Sequence, residues 1–271
     1  MELRDMRVMV MARYEPTSKL AREIESQGIE SVFRAIPDSE RANLSSIYQS
    51  LEKCGGELLT PEDPLWPSVL NDLEIPPIGL IVKGDTEILS RKSLAIVGTR
   101  NPTPYGVRIA SDFAAGFVDR EWAIVSGGAY GIDSVAHKGA LIAEGITIAI
   151  TASGLDSPYP AGNQRLFDEI IESGAIVTEY LPGMTARPHR FLVRNRLIAA
   201  ISDATLVVEA AFRSGSLRTA RDAAQLMRPV MAVPGPITSP TSDGCHRLIG
   251  ERSAELVTSV ADALELITPL V

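Results

Sequence analysis

The chain has 271 residues, 45% hydrophobic and 22% charged, which predicts one large globular domain or a domain with a small appendage and excludes disordered and collagen-like chains. Two cysteines, Cys54 and Cys245, are too few and too far apart for a disulfide framework, and no apolar run approaches the roughly 18 residues of a membrane span, so we expect a cytoplasmic protein without a membrane segment. The net charge of −8, taken alone, argues against a nucleic-acid-binding protein.

Residues 1–59 predict a small helical cap. Leu20, Ile24 and Ile29 fit an apolar stripe that is broken at Gly28, and a second stripe over 44–51 ends before two glycines, where a C-cap is expected. Residues 60–90 predict a connector that leads into the main domain, because five prolines between 60 and 85 interrupt any long helix. A short strand is predicted at 80–83.

Residues 91–271 predict an α/β domain. Short runs rich in Val and Ile alternate with amphipathic stretches of helical length, a pattern typical of a Rossmann-like, doubly wound and mostly parallel sheet with helices on both faces. The predicted strands are 93–97, 122–125, 146–151, 175–179, 204–209 and 229–234. In such sheets the ligand lies beyond the carboxyl ends of the strands, at the point where the strand order reverses. The residues after each strand are therefore the candidates for function.

The first predicted strand is followed by a candidate anion site. Gly98, Thr99 and Arg100 precede a helix start, where backbone N–H groups and a guanidinium attract phosphate, and Tyr105 and Gly106 begin that helix. The alternative is an ordinary strand-to-helix turn with a solvent-facing arginine.

The second predicted strand is followed by glycines that let a ligand approach the backbone closely. Ser126, Gly127 and Gly128 form this candidate loop. The adjacent glycines do not fit G-x-G-x-x-G, and no G-x-x-x-x-G-K-[ST] loop is present, so neither standard nucleotide site is supported. We interpret Asp133 as a residue that satisfies a helix N-terminus.

The third predicted strand is followed by a turn-rich loop. Here Tyr159 is a candidate for stacking on a base, and Asn163 and Arg165 are candidates for backbone contact. The alternative is a loop that only connects strand and helix, with Tyr159 in packing.

The fourth predicted strand leads to a basic run. Residues 187–196 contain four arginines and one histidine but no acid. Most of the excess acid lies elsewhere, since residues 1–90 hold 16 acids and 9 bases whereas 91–271 hold 18 and 17. Arginine forks match phosphate oxygens, so Arg194, Asn195 and Arg196 are candidate phosphate contacts, with 191–193 as an apolar anchor in the core. The alternative is a solvated helix face paired to Glu179 or Glu209.

The fifth predicted strand is followed by a helix start with hydroxyl groups. Ser214, Gly215 and Ser216 supply a cap and free N–H groups, and three arginines at 213, 218 and 221 add charge. The alternative is a plain N-cap.

The three histidines lack metal-ligand spacing, and G-x-S-x-G is absent, so we predict no metal, no cofactor and no catalytic triad.

Seven motifs, in order, resemble those of the DNA-processing protein A (DprA/Smf) family. They are AIVGTRNPTPYG, IVSGGAYGIDSVAH, GLDSPYPAGNQRL, VTEYLPG, RNRLIAAIS, VVEAAFRSGSLRTA and VMAVPG, together spanning about residues 93–250. The segment from Pro61 to Asp85 is similar to the family's lead-in to its Rossmann-like domain.

The resemblance implies a non-enzymatic protein that binds single-stranded DNA in natural transformation and recombination, protects incoming strands and promotes loading of the RecA recombinase. It also implies a homodimer. The family's G-S-R, glycine-pair, R-N-R and S-G-S motifs correspond to Arg100, Gly127–Gly128, Arg194–Arg196 and Ser214–Ser216. Many members carry a C-terminal winged helix, but the sequence after residue 250 predicts a single helix at 258–267, so we expect no winged helix in this chain.

Two other functions share the predicted fold. Nucleotide phosphoribohydrolases use similar loops with a P-G-G-x-G-T-x-x-E signature that is missing here, and a signalling protein would sense a nucleotide-derived ligand. Released base would identify the enzyme, and thermal stabilisation by a small molecule without DNA binding would identify the sensor.

Overall fold

The structure, a computed structural model, describes residues 1–41 and 43–267. In the described part of the first 54 residues, five helices form the predicted cap: α1 (Leu3–Arg13), α2 (Ser18–Gln27), α3 (Ile29–Arg34), α4 (Asp38–Arg41) and α5 (Leu44–Cys54). Gly28, with a φ of +80°, separates α2 from α3, and Gly55 ends α5 in the left-handed conformation, as the glycine positions predict.

A nine-stranded sheet lies at the centre of the described residues, in the order β1-β2-β6-β5-β4-β3-β7-β8-β9. The strands are β1 (Glu57–Leu59), β2 (Leu80–Gly84), β3 (Ser93–Val97), β4 (Ala123–Ser126), β5 (Thr147–Ile150), β6 (Ala175–Thr178), β7 (Ala204–Val207), β8 (Val230–Ala232) and β9 (Glu255–Leu256). Strands β3 to β8 fall on the six predicted runs, and all pairings from β6 to β9 are parallel. The predicted Rossmann-like α/β fold is therefore confirmed.

The sheet begins earlier in the chain than residue 91. The predicted strand at 80–83 is β2, which pairs antiparallel with β6 on one side and with β1 on the other. Both strands precede the boundary that the sequence places before the main domain. The last residues of the cap segment and the connector thus contribute one strand each to an antiparallel edge of the parallel sheet.

Helices cover both faces of the sheet, as predicted. They are α6 (Pro104–Val118), α7 (Ile132–Ile142), α8 (Gln164–Ser173), α9 (Pro188–Ile201), α10 (Ser216–Gln225), α11 (Asp243–Gly250) and α12 (Val260–Ile267). Side chains alternate across β3, so that Leu94 and Ile96 join the core beneath α6 and α7, whereas Ala95 and Val97 join the core beneath α9 and α10. The single helix predicted near the end is α12.

The cap packs on the antiparallel edge. Val8, Phe33 and Leu51 of the cap share one apolar core with Ile81 of β2 and with Leu181, which follows β6. The guanidinium of Arg190 on α9 also pairs with Glu15, so the cap is tied to a helix of the main domain. Both cysteines are free thiols, as predicted.

The strand order reverses at β3, which lies between β4 and β7. The chain runs from β3 through β4 and β5 to β6, and α9 then carries it back across the sheet to β7. The crevice beyond the ends of β3 and β7 is therefore the expected ligand position.

Within the described ranges, no helix combines the length and apolarity needed to cross a bilayer.

Candidate nucleic-acid interface

A pocket of about 760 Å³ opens at this reversal, and we call it the switch-point pocket. Its walls come from the segments that follow strands β3 to β7 and from α9. Nine of the residues selected from the sequence line it: Gly98, Thr99, Arg100, Tyr159, Arg194, Asn195, Ser214, Gly215 and Ser216. Separate post-strand loops thus form one concave site.

Arg194 is a buried cation with an incomplete set of partners. Its side chain lies on α9 in a residue that is 3% exposed, and its Nη1 donates to the carbonyl of Ile150 at the end of β5. Its buried Nε has no hydrogen-bond partner, and burial lowers its pKa to about 10. A desolvated guanidinium without a salt-bridge partner, in a residue that lines a pocket, favours an anionic ligand.

Asp133 moderates the charge of Arg194 without pairing with it. It lies in the first turn of α7, as interpreted from the sequence, and accepts a hydrogen bond from the Gly127 N–H at 3.1 Å. Burial raises the pKa of Asp133, and the positive charge of Arg194 opposes that rise.

The Gly127 position makes room for Arg194. A Cβ atom built on Gly127 would lie 2.0 Å from Arg194 Nη1, a distance that no side chain tolerates. Gly127 therefore acts on the site through Arg194.

An aromatic pair forms a second wall of the pocket. The ring of Phe191 has the guanidinium carbons of Arg100 and Arg194 at 5.2 and 6.0 Å from its centroid, and the ring of Tyr159 meets it edge-on at 5.5 Å. The expectation that 191–193 anchor in the core is wrong, since Phe191 lines the pocket and Leu192 is 53% exposed. Cations and rings side by side are the groups that bind phosphates and bases.

The Ser-Gly-Ser loop opens the start of α10 to the pocket. Ser214 Oγ and Ser216 Oγ are 2.7 Å apart, and Asn195 Nδ2 donates to the Gly215 carbonyl at 3.2 Å, which fixes the loop to α9. A Cβ on Gly215 would meet open space. The helix N-terminus thus presents its positive end to the pocket.

The start of α6, one part of the anion site predicted after β3, is closed, whereas Gly98, Thr99 and Arg100 of that site line the pocket. Thr103 donates from its N–H and its Oγ to Glu209 at 2.9 and 2.6 Å, and a Cβ on Gly106 would lie 2.2 Å from Glu209 Oε2. The carboxylate occupies the position proposed for phosphate. Tyr105 lies outside the pocket and donates to the Pro234 carbonyl at 2.8 Å.

Three further predicted contacts are buried in the framework behind the pocket. Ser126 Oγ donates to the Ile96 carbonyl at 2.7 Å, and Asn163 Nδ2 donates to the Gly128 carbonyl at 2.9 Å. Gly128 has a φ of +66°, which favours glycine. These residues shape the loops instead of facing the pocket.

The arginines of the basic run separate into different roles. Arg187 and Arg194 line the pocket. Arg196 does not, because its Nη1 and Nη2 donate to Glu179 at 2.6 and 2.7 Å and its Nε donates to the Ile75 carbonyl. The prediction that Arg196 contacts phosphate is therefore wrong. The alternative interpretation of the sequence, a pairing with Glu179, is present, but the pair is buried and not on a solvated helix face.

Arg165 also lies outside the pocket, where it pairs with Glu169 on the solvent face of α8 at 3.0 Å. Phe191, in contrast, is a pocket residue that was not selected from the sequence. Its spacing of three positions before Arg194 places both on one face of α9, and that signal could have identified it.

Comparison with known proteins gives consistent matches. The family model for DNA recombination-mediator protein A matches residues 57–268. A putative DNA processing protein DprA from Mycobacterium tuberculosis is 45% identical over 230 residues, which are 80% of this chain but 59% of that relative. The chain therefore spans about three fifths of that relative's length.

Two solved structures are similar in fold. DNA processing protein A from Streptococcus pneumoniae has a TM-score of 0.85 and 30% identity, over 100% of this chain and 99% of that chain. DNA processing protein A from Helicobacter pylori, whose structure concerns its single-stranded DNA binding mode, has a TM-score of 0.71 and 32% identity, over 79% and 96% of the two chains.

Proposed function

Because the chain belongs to the DNA recombination-mediator protein A family of DprA and Smf proteins, we propose that it binds single-stranded DNA in the switch-point pocket. The observation that carries this proposal is Arg194, a buried guanidinium that lines the pocket and forms no salt bridge in the part of the chain that the structure describes. A phosphate group in the pocket supplies the missing negative charge.

The other pocket groups extend the same chemistry. Arg100 is exposed, lies 5.2 Å from the Phe191 ring centroid and adds a second cation, while the α10 start adds N–H donors. Phe191 and Tyr159 offer ring surface to a base. Paired bases in a duplex are stacked on their neighbours and cannot reach these rings, so the pocket favours a single strand.

We propose binding without turnover. The carboxylates nearest the pocket are engaged, since Glu209 accepts from Thr103 and Asp133 accepts from Gly127. Nucleoside monophosphates incubated with the protein then release no base, and released base would contradict this part of the proposal.

The wider role we propose follows from family membership. The protein protects incoming single strands in natural transformation and recombination, promotes the loading of a RecA-type recombinase, acts as a homodimer and works in the cytoplasm. H. pylori DNA processing protein A supports the ligand class by its single-stranded DNA binding mode.

A titration of labelled single-stranded and duplex oligonucleotides over a range of salt tests the proposal. We expect tighter single-strand binding, with log K falling against log salt by about 0.7 per phosphate neutralised. Arg100→Ala should lower the affinity and flatten this slope by about one phosphate. Equal binding by Arg100→Ala and wild type at every salt concentration would overturn the assignment of the pocket.

A further inference from the structure

A second hollow of about 540 Å³ lies beside the switch-point pocket, and we call it the α10 surface. It is lined mainly by Leu192, Phe212, Arg213, Arg218, Arg221 and Arg247. Leu192, Arg213 and the Ser214–Gly215 loop line both hollows, so the two are continuous. A bound polymer that leaves the switch-point pocket past the Ser214–Gly215 loop therefore enters the α10 surface directly.

The α10 surface carries an exposed aromatic ring that the fold does not use. Phe212 is 53% exposed and belongs to none of the apolar cores of the described residues. The guanidinium of Arg247 lies 4.7 Å from its centroid, which supports one side of the ring. An exposed ring held by a cation is a platform on which a base can stack.

The charge of the α10 surface is positive although the whole protein carries −8. Arg218 pairs with Asp222 at 2.7 Å and Arg247 pairs with Glu251 at 2.6 Å. Arg213 and Arg221 are exposed, and neither forms a salt bridge within the described part of the chain. Two uncompensated cations therefore line the same hollow as the ring.

We propose that the α10 surface is a second subsite for the same single strand, in which a base stacks on Phe212 and the adjoining phosphates contact Arg213 and Arg221. The proposal rests on the proposed function, since it needs a strand that occupies the switch-point pocket. Arg213 lines both hollows and contacts the phosphate between them.

Oligothymidylates of two lengths test the subsite, roughly 4 and roughly 16 nucleotides, within the span of known single-strand sites. Phe212→Ala and Arg221→Gln should each weaken binding of the longer oligonucleotide, Phe212→Ala by at least about 5-fold, and leave the shorter one unchanged. Phe212→Tyr should retain the long-strand affinity. Arg108→Gln, which removes an exposed arginine from α6 outside both hollows, is the matched charge control.

The outcomes separate the two proposals. If neither variant weakens the longer oligonucleotide while Arg100→Ala does, the subsite is wrong and the proposed function stands. Equal weakening of both lengths also overturns a separate subsite. If the variants instead lose binding of an oligoglutamate peptide and keep DNA affinity, the surface serves an acidic protein segment. If wild type binds neither length, the proposed function itself fails.

Discussion

Two buried arginines on helix α9 differ in how completely their positive charges are compensated. Arg196 is 6% exposed and donates from all three of its side-chain nitrogens to Glu179 and to the backbone carbonyls of Ile75 and Val193. Arg194, two positions earlier, is 3% exposed, forms no salt bridge in the described part of the chain and leaves its Nε unused. A buried charge with a full set of partners is part of the framework and cannot lose one partner cheaply, whereas an incompletely compensated one beside a pocket can bind a ligand.

The two helix starts at the reversal of the sheet show the same contrast. The α6 start is filled by the Glu209 carboxylate, and the α10 start opens onto the pocket through Gly215. The chain supplies its own anion at one start and leaves the other for an external anion.

Arg196→Met should have the largest effect, on stability. Removal of one partner of a buried ion pair leaves Glu179 without compensation, and we expect the free energy of unfolding to fall by about 3–5 kcal/mol. Urea unfolding measures this change. The double variant Glu179→Met/Arg196→Met should recover most of the loss. An Arg196→Met variant as stable as wild type would contradict the structural role that separates Arg196 from Arg194.

Arg194→Met should mainly affect binding. The loss of a charge-assisted contact of about 1.5–3 kcal/mol predicts an affinity for single-stranded DNA that falls by about 10- to 150-fold. The stability should change less than in Arg196→Met, because no salt bridge is broken. A variant that binds normally but unfolds easily would reverse the assignment of the two arginines.

Gly127→Ala should lower both the stability of the protein and its affinity for single-stranded DNA. The added methyl displaces the Arg194 guanidinium, at a cost of about 1–3 kcal/mol in unfolding free energy, and weakens DNA binding through that displacement. Gly250→Ala is the control, since a Cβ there meets open space. Unchanged DNA affinity in Gly127→Ala would show that the position of Arg194 does not matter.

Arg165→Ala should have the smallest effect. The residue pairs with Glu169 on an exposed helix face, where such a pair contributes about 0.5 kcal/mol or less. Unfolding and DNA titrations should both match wild type closely. A clear loss of affinity would extend the binding surface onto α8.

The strands and the position of the site could be predicted because both depend on local patterns. Runs such as 93–97 and 204–209 mark buried parallel strands, and the loops that follow them meet at one edge. Strand β1 was not predicted, since three residues give no periodic signal and its partner lies 21 or more residues away.

Which arginines line the pocket and which form buried structural contacts could not be predicted, because this depends on partners that are distant in the sequence. Arg196 meets Ile75, which is 121 residues earlier, and Arg190 meets Glu15, which is 175 residues earlier. The same holds for Gly106, whose role depends on a carboxylate at Glu209. Only the folded chain shows which charge is already matched.

The salt dependence of single-stranded DNA binding by wild type and Arg194→Met, measured side by side, tests the central claim most directly. We predict that the variant binds more weakly and that its log–log slope is smaller by about 0.7, the contribution of one phosphate. Two coincident lines would contradict the account, because the incompletely compensated guanidinium would then contact no phosphate.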